Sequence, residues 1–427
     1  MVVLQISATE SPVRSAVTAF SSLHECYEGY KESNAYSSGL SPDNKTYLYG
    51  LKQYNIAVRQ TAQLLDTKDQ ASCRVALISC LLFVCLELMQ DNYPAAITHL
   101  TGGLQLLSFC QNAQKTRPPV PGLSHLHNSL QQIFGRIIVQ TMFLADTHYA
   151  VSIIPTLFES EIPTMLSTVA EARDLLDRLF LSSYCFLRAI SKEASDSSGA
   201  RMLEKTLLSN RLQDWYRLFR EFVDTRQNSF TTKDSTGAVL LEIHFVSLSI
   251  MIDTALDKLK TFCSAPEPPF IRITSLVESL LAKGDPSTPS LGEPPRSRLP
   301  RYSFDLGVIG PLFYTAMKCW NSSIRLKAIS LLRHPNIPDR EGMWHPETTA
   351  LLAQRIIDVE EELVSSTLNL RLDARTGESN GEFGPETIKQ KIWFDIERPT
   401  EDDKRLKIFV GTTPEEKTER REEVVTW

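Results

Sequence analysis

The chain contains 427 residues, of which 42% are apolar and 22% charged, and its net charge at neutral pH is −6. The apolar share is enough for a sizeable buried core, and the dispersed basic residues disfavour a surface that binds nucleic acid directly. The first ten residues lack the basic start of a secretory signal peptide, and the scattered cysteines fit a reducing compartment. The length allows two or three domains or one long helical array.

Residues 11–30 and 47–65 have the apolar spacing of amphipathic helices. Residues 75–89 are apolar on every side, which is typical of a helix buried in a core or embedded in lipid. This stretch falls short of the roughly 20 residues that cross a bilayer, so we predict the central helix of a soluble domain, with Leu82 in its core. A second helix follows after a short turn and runs to Leu107.

The turn between these two helices has its own signals. Asp91 or Asn92 can cap the second helix, and Pro94 fits its first turn, where a missing N–H costs nothing. On the second helix the small Gly103 would allow another backbone to come close. Tyr54 and Tyr93 each begin a Tyr-x-x-Ala pattern, which suggests repeated helical hairpins, although coincidence is an equal alternative.

Further helices are predicted along the rest of the chain, at residues 125–150, 168–190, 199–224, 236–262, 308–332 and 347–368. The third of the turn-rich breaks, residues 284–295, is longer than those at 118–122 and 265–269. Thr168 and Glu171 have the spacing of a capping box. After about Ile388 the apolar period changes to two, which predicts a small β-hairpin with residues 424–427 as a third strand.

The predicted fold class is therefore all-α, a multi-helix array of packed helical hairpins with a small C-terminal β-hairpin. The expected organisation has five parts: an N-terminal hairpin array at 1–112, a central helical region at 113–283, a Pro/Ser-rich loop at 284–300, C-terminal helices of the same domain at 301–370, and a small β element at 386–427.

The common phosphate-loop, dinucleotide, zinc-protease and serine-hydrolase motifs do not occur in the sequence. His125 and His127 point to different faces of one helix, and His99 is interpreted as a half-buried packing residue. The acidic stretch from Asp358 to Glu362 suggests a solvated helix face rather than a metal site. We therefore predict no catalytic residue and no metal ligand, whereas a cofactor-binding residue stays unassigned.

Several stretches carry a resemblance that covers most of the chain. They are the apolar helix pair at Val75 to Leu107 and the stretches Ser11 to Glu25, Ile162 to Arg173, and Phe304 to Trp344, the last of which contains Arg340-Glu-Gly-Met-Trp344. In this order they resemble the middle region of fungal binuclear zinc-cluster transcription factors. No single stretch is a catalytic signature, and the match rests on their order and coverage.

Members of this family usually begin with six cysteines that hold two zinc ions and bind DNA. None of the eight cysteines of this chain has a partner at C-x2-C spacing, so they are interpreted as core residues and zinc is expected only in a separate N-terminal head. Whether that head is naturally absent or lost by truncation stays open.

The resemblance implies a nuclear regulator of transcription, with the cytoplasm as a second location, that controls metabolic or secondary-metabolite genes. It implies protein partners, indirect contact with DNA, no membrane, and a small metabolite as a candidate effector. Arg296, Arg298 and Arg301 could assist nuclear import, although a solubilising loop is favoured. The alternative function is a helical scaffold that does not bind DNA, and an enzyme is disfavoured.

Overall fold

In a computed structural model of the chain, the described residues are 2–32, 44–66, 69–115, 123–141, 163–192, 198–256, 266–282, 302–373, 393–397, 406–411 and 421–425. They form thirteen α-helices and five short strands. The chain divides into two compact units. The N-terminal unit contains residues 1–138 and 148–159, and the C-terminal unit contains residues 139–147 and 160–427.

The N-terminal unit is built from helices α1 to α6, with the last three residues of α6 assigned to the other unit. Their bounds are α1 Val2–Thr9, α2 Ser11–Glu32, α3 Lys45–Leu65, α4 Gln70–Met89, α5 Tyr93–Lys115 and α6 Leu123–Thr141. Helix α4 packs against α2, α3 and α5 and is the centre of this unit, as its apolar sequence predicts. The side chain of Asp69 accepts the Ser72 N–H at 2.9 Å, so α4 begins five residues before the predicted start.

The length argument against a membrane helix is corrected by this earlier start. With 20 residues, α4 is long and apolar enough to cross a bilayer, and so is the helix Thr232–Asp253 of the other unit, but most of each helix is buried among neighbouring helices. The expectation that Leu82 lies in the core is also wrong, because Leu82 is half-buried while Phe83 is only 2% exposed.

The turn before α5 combines a strained residue with a cap. Asp91 has a φ of +58°, and the side chain of Asn92 accepts the Ala95 N–H at 3.4 Å, so Asn92 is the cap. Gly103 does permit a close approach, but to a side chain rather than to a backbone. A Cβ at Gly103 would lie 2.3 Å from the ring of Phe134 on α6.

The C-terminal unit contains the other seven helices, with α9 packed against α7, α8 and α10. Their bounds are α7 Val169–Lys192, α8 Ser198–Arg226, α9 Thr232–Asp253, α10 Glu267–Ala282, α11 Ile309–Lys318, α12 Ser322–Leu332 and α13 Pro346–Asp373. Thr168 caps α7 by accepting the Glu171 N–H at 3.1 Å, as predicted. The Glu171 carboxylate, however, accepts the N–H of Ser167 at 2.8 Å rather than that of Thr168.

Two predictions for this unit are wrong. The single helix expected at 308–332 is two helices, because the chain leaves helical geometry at Cys319 and the side chain of Asn321 caps α12. The break expected at 265–269 is in part the start of α10, since Pro268 and Pro269 occupy its first turn, where proline is tolerated. In the N-terminal unit, helix α1 was not predicted.

The strands are short. Strands β1 (Tyr302–Ser303) and β2 (Arg340–Glu341) form a two-residue parallel pair that was not predicted. Strands β3 (Trp393–Glu397), β4 (Leu406–Gly411) and β5 (Arg421–Val425) form an antiparallel sheet in the order β3-β4-β5. The all-α class with a small C-terminal β element is thus confirmed.

Several predicted features lie outside the described residues. They are residues 142–150 of the helix expected at 125–150, residues 257–262 of the helix expected at 236–262, the breaks at 118–122 and 284–295, and the arginines of the proline-rich loop.

Candidate functional site

Two of the four stretches that carry the family resemblance, Ile162 to Arg173 and Phe304 to Trp344, are joined by contacts within the C-terminal unit. Arg173, at the end of one stretch, makes a two-pronged ion pair with Asp305 of another, with N···O distances of 2.8 and 3.1 Å. The preceding carbonyl, that of Ala172, accepts the buried indole N–H of Trp215 at 2.9 Å. Charged and polar groups therefore fix the start of α7 to the segment that leads into α11.

The centre of this region is a buried carboxylate that caps α11. Glu341 accepts the N–H of Val308 at 3.0 Å on one oxygen and the N–H of Ile309 at 2.8 Å on the other. A helix N-terminus offers unpaired N–H groups and a partial positive charge, both of which favour a carboxylate. A Cβ at Gly307 would lie 2.0 Å from a Glu341 oxygen, so only glycine fits there. We call Gly307, Val308, Ile309 and Glu341 the α11 cap.

A tight turn holds Glu341 in place. The N–H of Glu341 donates to the carbonyl of Trp344, and the N–H of Trp344 donates to the carbonyl of Glu341, each at 2.9 Å. Gly342 in this turn has a φ of +57°, which favours glycine, and its N–H donates to Ser303 on the neighbouring strand. The Trp344 indole packs against Phe313 of α11 at a ring distance of 5.5 Å. The Arg-Glu-Gly-Met-Trp stretch therefore stabilises α11 in two ways: Glu341 caps its N-terminus and Trp344 packs against its side.

The electrostatics of the α11 cap involve two buried titratable groups. Burial raises the pKa of Glu341 from 4.5 to about 7, while the N–H donors of Ile309 and Val308 act in the opposite direction. Burial lowers the pKa of His244 to about 4, so this imidazole is neutral at pH 7. Its Nε2 lies 2.8 Å from the Gly307 carbonyl, and since a carbonyl can only accept, Nε2 carries the proton.

A second buried pair joins α12 to α13. Arg325 lies 2.9 Å from a carboxylate oxygen of Glu360, and both side chains are almost completely buried. The Arg325 Nε also donates to the Ala316 carbonyl at 2.6 Å, which satisfies an acceptor in the last turn of α11. The prediction of a solvated acidic face is therefore wrong for Glu360, although the neighbouring Glu361 and Glu362 are exposed.

The N-terminal unit has a polar cluster of its own, formed by Tyr54, Glu87 and His99, one each from α3, α4 and α5. The Tyr54 hydroxyl donates to Glu87 and lies 2.8 Å from Nε2 of His99. Burial is the main cause that raises the pKa of Tyr54 and lowers that of His99, so the hydroxyl stays protonated and the imidazole neutral at pH 7. His99 is half-buried, as predicted, and it also packs against Phe83. This cluster ties three helices together around the only acidic residue of α4.

The cysteines behave as core residues where they are described. Six of the seven described cysteines are buried and Cys185 is half-buried, while Cys263 lies outside the described residues. Burial raises the pKa of Cys80 and of Cys85 to about 12, so both are thiols rather than reactive thiolates at neutral pH. Within the described ranges, no three His, Cys, Asp or Glu side chains lie close enough together to hold a metal ion.

The polar and charged side chains of these clusters connect structural elements to one another. Their hydrogen bonds and ion pairs join side chains to backbone groups and to each other, which fixes helix ends and helix pairs. The structural roles of Glu341 and Arg325 were not predicted, because neither residue has the spacing of a catalytic motif. Each is a charged residue within a stretch that is otherwise largely apolar or contains glycine, and that pattern was the sequence signal for a buried charge.

Comparison with known proteins gives two relatives. The chain is 26% identical over 233 residues to the transcription regulator lscL of Purpureocillium lilacinum, an alignment that covers 50% of this chain and 54% of that protein. It is 22% identical over 438 positions to the aspercryptin biosynthesis cluster-specific transcription regulator atnN of Emericella nidulans, with 84% of this chain and 69% of that protein covered. The chain thus spans about half of one relative and about two thirds of the other. No protein-family profile and no solved structure matches the chain.

Proposed function

We propose that this chain is the regulatory domain of a fungal transcription regulator of the zinc-cluster type. The observation that carries the proposal is the alignment with a cluster-specific transcription regulator across 84% of the chain. The order of the family-like stretches supports it. So does the use of their charged residues, since Arg173, Arg325 and Glu341 stabilise one helical unit rather than surround a substrate.

In this proposal the chain acts in the nucleus by holding protein partners, and it reaches promoters indirectly. Specific DNA binding needs phosphate contacts to set register and side chains that read base edges. A net charge of −6 with dispersed basic residues repels the duplex. DNA contact is therefore assigned to a zinc-cluster head outside these 427 residues or to a DNA-binding partner. The regulated genes are proposed to be metabolic or secondary-metabolite genes.

A tethered reporter assay tests the transcriptional role. The chain is fused to an unrelated DNA-binding domain and expressed in a filamentous fungus that carries a reporter downstream of the matching binding sites. We expect reporter output to differ at least severalfold from that of the DNA-binding domain alone. A fusion carrying Phe83→Asp should return to the baseline, because a buried carboxylate disrupts the N-terminal unit. Output equal to the baseline for the intact fusion, at matched protein level, would favour the scaffold function.

A DNA titration tests the assignment of DNA contact to another part of the protein or to a partner. The purified chain is titrated against duplex DNA of mixed sequence and against candidate promoter fragments at near-physiological salt. We expect no binding tighter than the nonspecific range, a Kd of about 10⁻⁴ to 10⁻⁶ M. Sequence-dependent binding in the nanomolar range would contradict the assignment.

A further inference from the structure

The solvent-facing side of α3 carries three positive charges in one row. Lys45, Lys52 and Arg59 are all exposed and are spaced seven residues apart. Because seven residues fall only about 20° short of two full helical turns, the three side chains share one face of the helix. Successive charges lie about 10 Å apart along the helix axis. The opposite face is formed by the buried residues of α3, Gly50, Ala57 and Thr61.

No acidic residue of α3 offsets this row. The helix contains neither aspartate nor glutamate, and Asp66, its C-cap residue, is the one acidic residue of the described segment 44–66. Among the described residues, no carboxylate forms an ion pair with the three cations, and Arg59 donates from Nε to the carbonyl of Asn55 at 3.3 Å. On a chain whose net charge is −6, this row is a local positive surface, which attracts a negatively charged partner.

The position of Lys45 is unfavourable for the helix itself. Lys45 is the first helical residue and follows the cap Asn44, whose side chain accepts the N–H groups of Thr46 and Tyr47. The N-terminus of a helix has a partial positive charge, which favours acidic residues and disfavours basic ones. A residue that opposes local stability is expected where it serves binding rather than folding.

Two apolar side chains lie beside the first two charges. Leu48 and Tyr49 stand between Lys45 and Lys52 in the sequence, and each is 50% exposed. Leu48 shares the face of the charged row, and Tyr49 lies at its edge. Phosphates offer no apolar counterpart to these side chains, and three cations are fewer than the roughly six to ten phosphate contacts typical of strong DNA binding. A positive surface with an apolar part instead fits a protein segment that is both acidic and apolar.

We propose that the α3 face, formed by Lys45, Leu48, Tyr49, Lys52 and Arg59, binds an acidic amphipathic helix of a protein partner. A helix that lies along α3 can place carboxylates at the same seven-residue spacing opposite the three cations, while its apolar residues contact Leu48 and Tyr49. The apolar contact contributes affinity, and the charges set orientation and association rate. This partner class rests on the proposed function, in which the chain acts through protein partners. Binding to the purified chain is measured without any promoter, so it can fail while the tethered reporter still responds.

The probe is a synthetic helical peptide of about 20 residues, which is long enough to cover the charged row. It carries glutamate at seven-residue spacing with leucine beside it, and its binding to the purified full chain is followed by fluorescence anisotropy. We expect saturable binding with a Kd in the micromolar range that weakens as salt rises, because exposed charges are screened. Two control peptides, one with glutamine in place of glutamate and one with the same residues scrambled, should bind several times more weakly.

Any of three results with these probes would overturn the proposal. Equal binding of the scrambled peptide would show that composition rather than helical spacing decides. Tighter binding of duplex DNA or of anionic phospholipid vesicles would assign the α3 face to another class of partner. The absence of saturable peptide binding up to about 1 mM, a concentration at which even a weak complex forms, would contradict the docking of a helix.

Charge reversal separates binding from stability. Lys45→Glu, Lys52→Glu and Arg59→Glu combined should weaken peptide binding at least about tenfold, because attraction becomes repulsion at three exposed contacts. Lys45→Glu alone should weaken binding severalfold yet keep or raise Tm, since a carboxylate suits the first turn of a helix. Lys233→Glu, the control, reverses an exposed charge in the first turn of α9 and should leave binding unchanged. Binding by the folded triple variant equal to that of the intact chain would overturn the proposal.

Discussion

The ion pair between Arg325 and Glu360 allows the sharpest prediction about stability, because both side chains are almost completely buried and lie in direct contact. They lie 2.9 Å apart, with 2% and 0% of their side-chain surfaces exposed. Removing one member of such a pair leaves an uncompensated buried charge, which typically costs about 3–5 kcal/mol. We therefore expect Arg325→Met and Glu360→Met each to lower the free energy of unfolding of the C-terminal unit by that amount.

The double variant separates the pair from its surroundings. Replacing both ions by methionines of similar volume removes the buried charge, and such replacements are often neutral or even stabilising. The bond from Arg325 Nε to the Ala316 carbonyl is lost as well, which leaves a residual cost of about 1–3 kcal/mol. The double variant should thus be more stable than the sum of the single effects predicts, by about 2 kcal/mol or more.

Urea unfolding followed by tryptophan fluorescence measures these changes in the intact chain. All five tryptophans lie at or after position 215, in the C-terminal unit, so the signal reports on the unit that contains the pair. The four proteins of the double-mutant cycle are compared at one pH and one salt concentration. A coupling energy below about 0.5 kcal/mol would refute the claim that this buried pair holds α12 to α13.

Two further predictions concern glycine packing and pH dependence. Gly103→Ala should lower the free energy of unfolding by about 1–3 kcal/mol, because its Cβ would overlap the Phe134 ring. At the neighbouring Gly102 a Cβ meets nothing within 4 Å, so Gly102→Ala should raise the free energy of unfolding by about 0.5–1 kcal/mol. Circular dichroism during urea unfolding measures both changes. For Glu341 the native pKa of about 7 lies above the ordinary 4.5, so its contribution is complete below pH 4.5 and about 3 kcal/mol is lost as the pH rises to 7. Glu341→Gln should remove this slope, and parallel stability–pH curves for the two proteins would contradict the assignment.

The sequence was sufficient for those features that depend on local periodicity. The apolar run that became α4 and the change to period two at the C-terminal strands are visible without any knowledge of contacts. The Asn92 and Thr168 caps were also predictable, because capping depends on residues only a few positions apart. The all-α class follows from such features, since most of the chain has helical spacing.

The errors arise where distant contacts decide the structure. Glu360 lies in an acidic stretch that reads as solvated, and only its pairing with Arg325 from another helix explains its burial. The α11 cap was missed for the same reason, because Gly307 and Glu341 are 34 positions apart and meet only in the folded chain. The break between α11 and α12 was missed although its cause is local, since Asn321 caps α12 through the N–H groups of Ser323 and Ile324.

The most direct test of the central claim measures transcripts in the native host. The endogenous allele is replaced by Phe83→Asp, which alters a side chain only 2% exposed, and in a matched strain by Leu326→Asp, which alters one that is 51% exposed. If the chain regulates transcription, the Phe83→Asp strain should show altered RNA levels for a defined set of metabolic or secondary-metabolite genes, and the Leu326→Asp strain should resemble the parent. An unchanged transcriptome in the Phe83→Asp strain, under conditions in which the parent protein is expressed, would contradict the account.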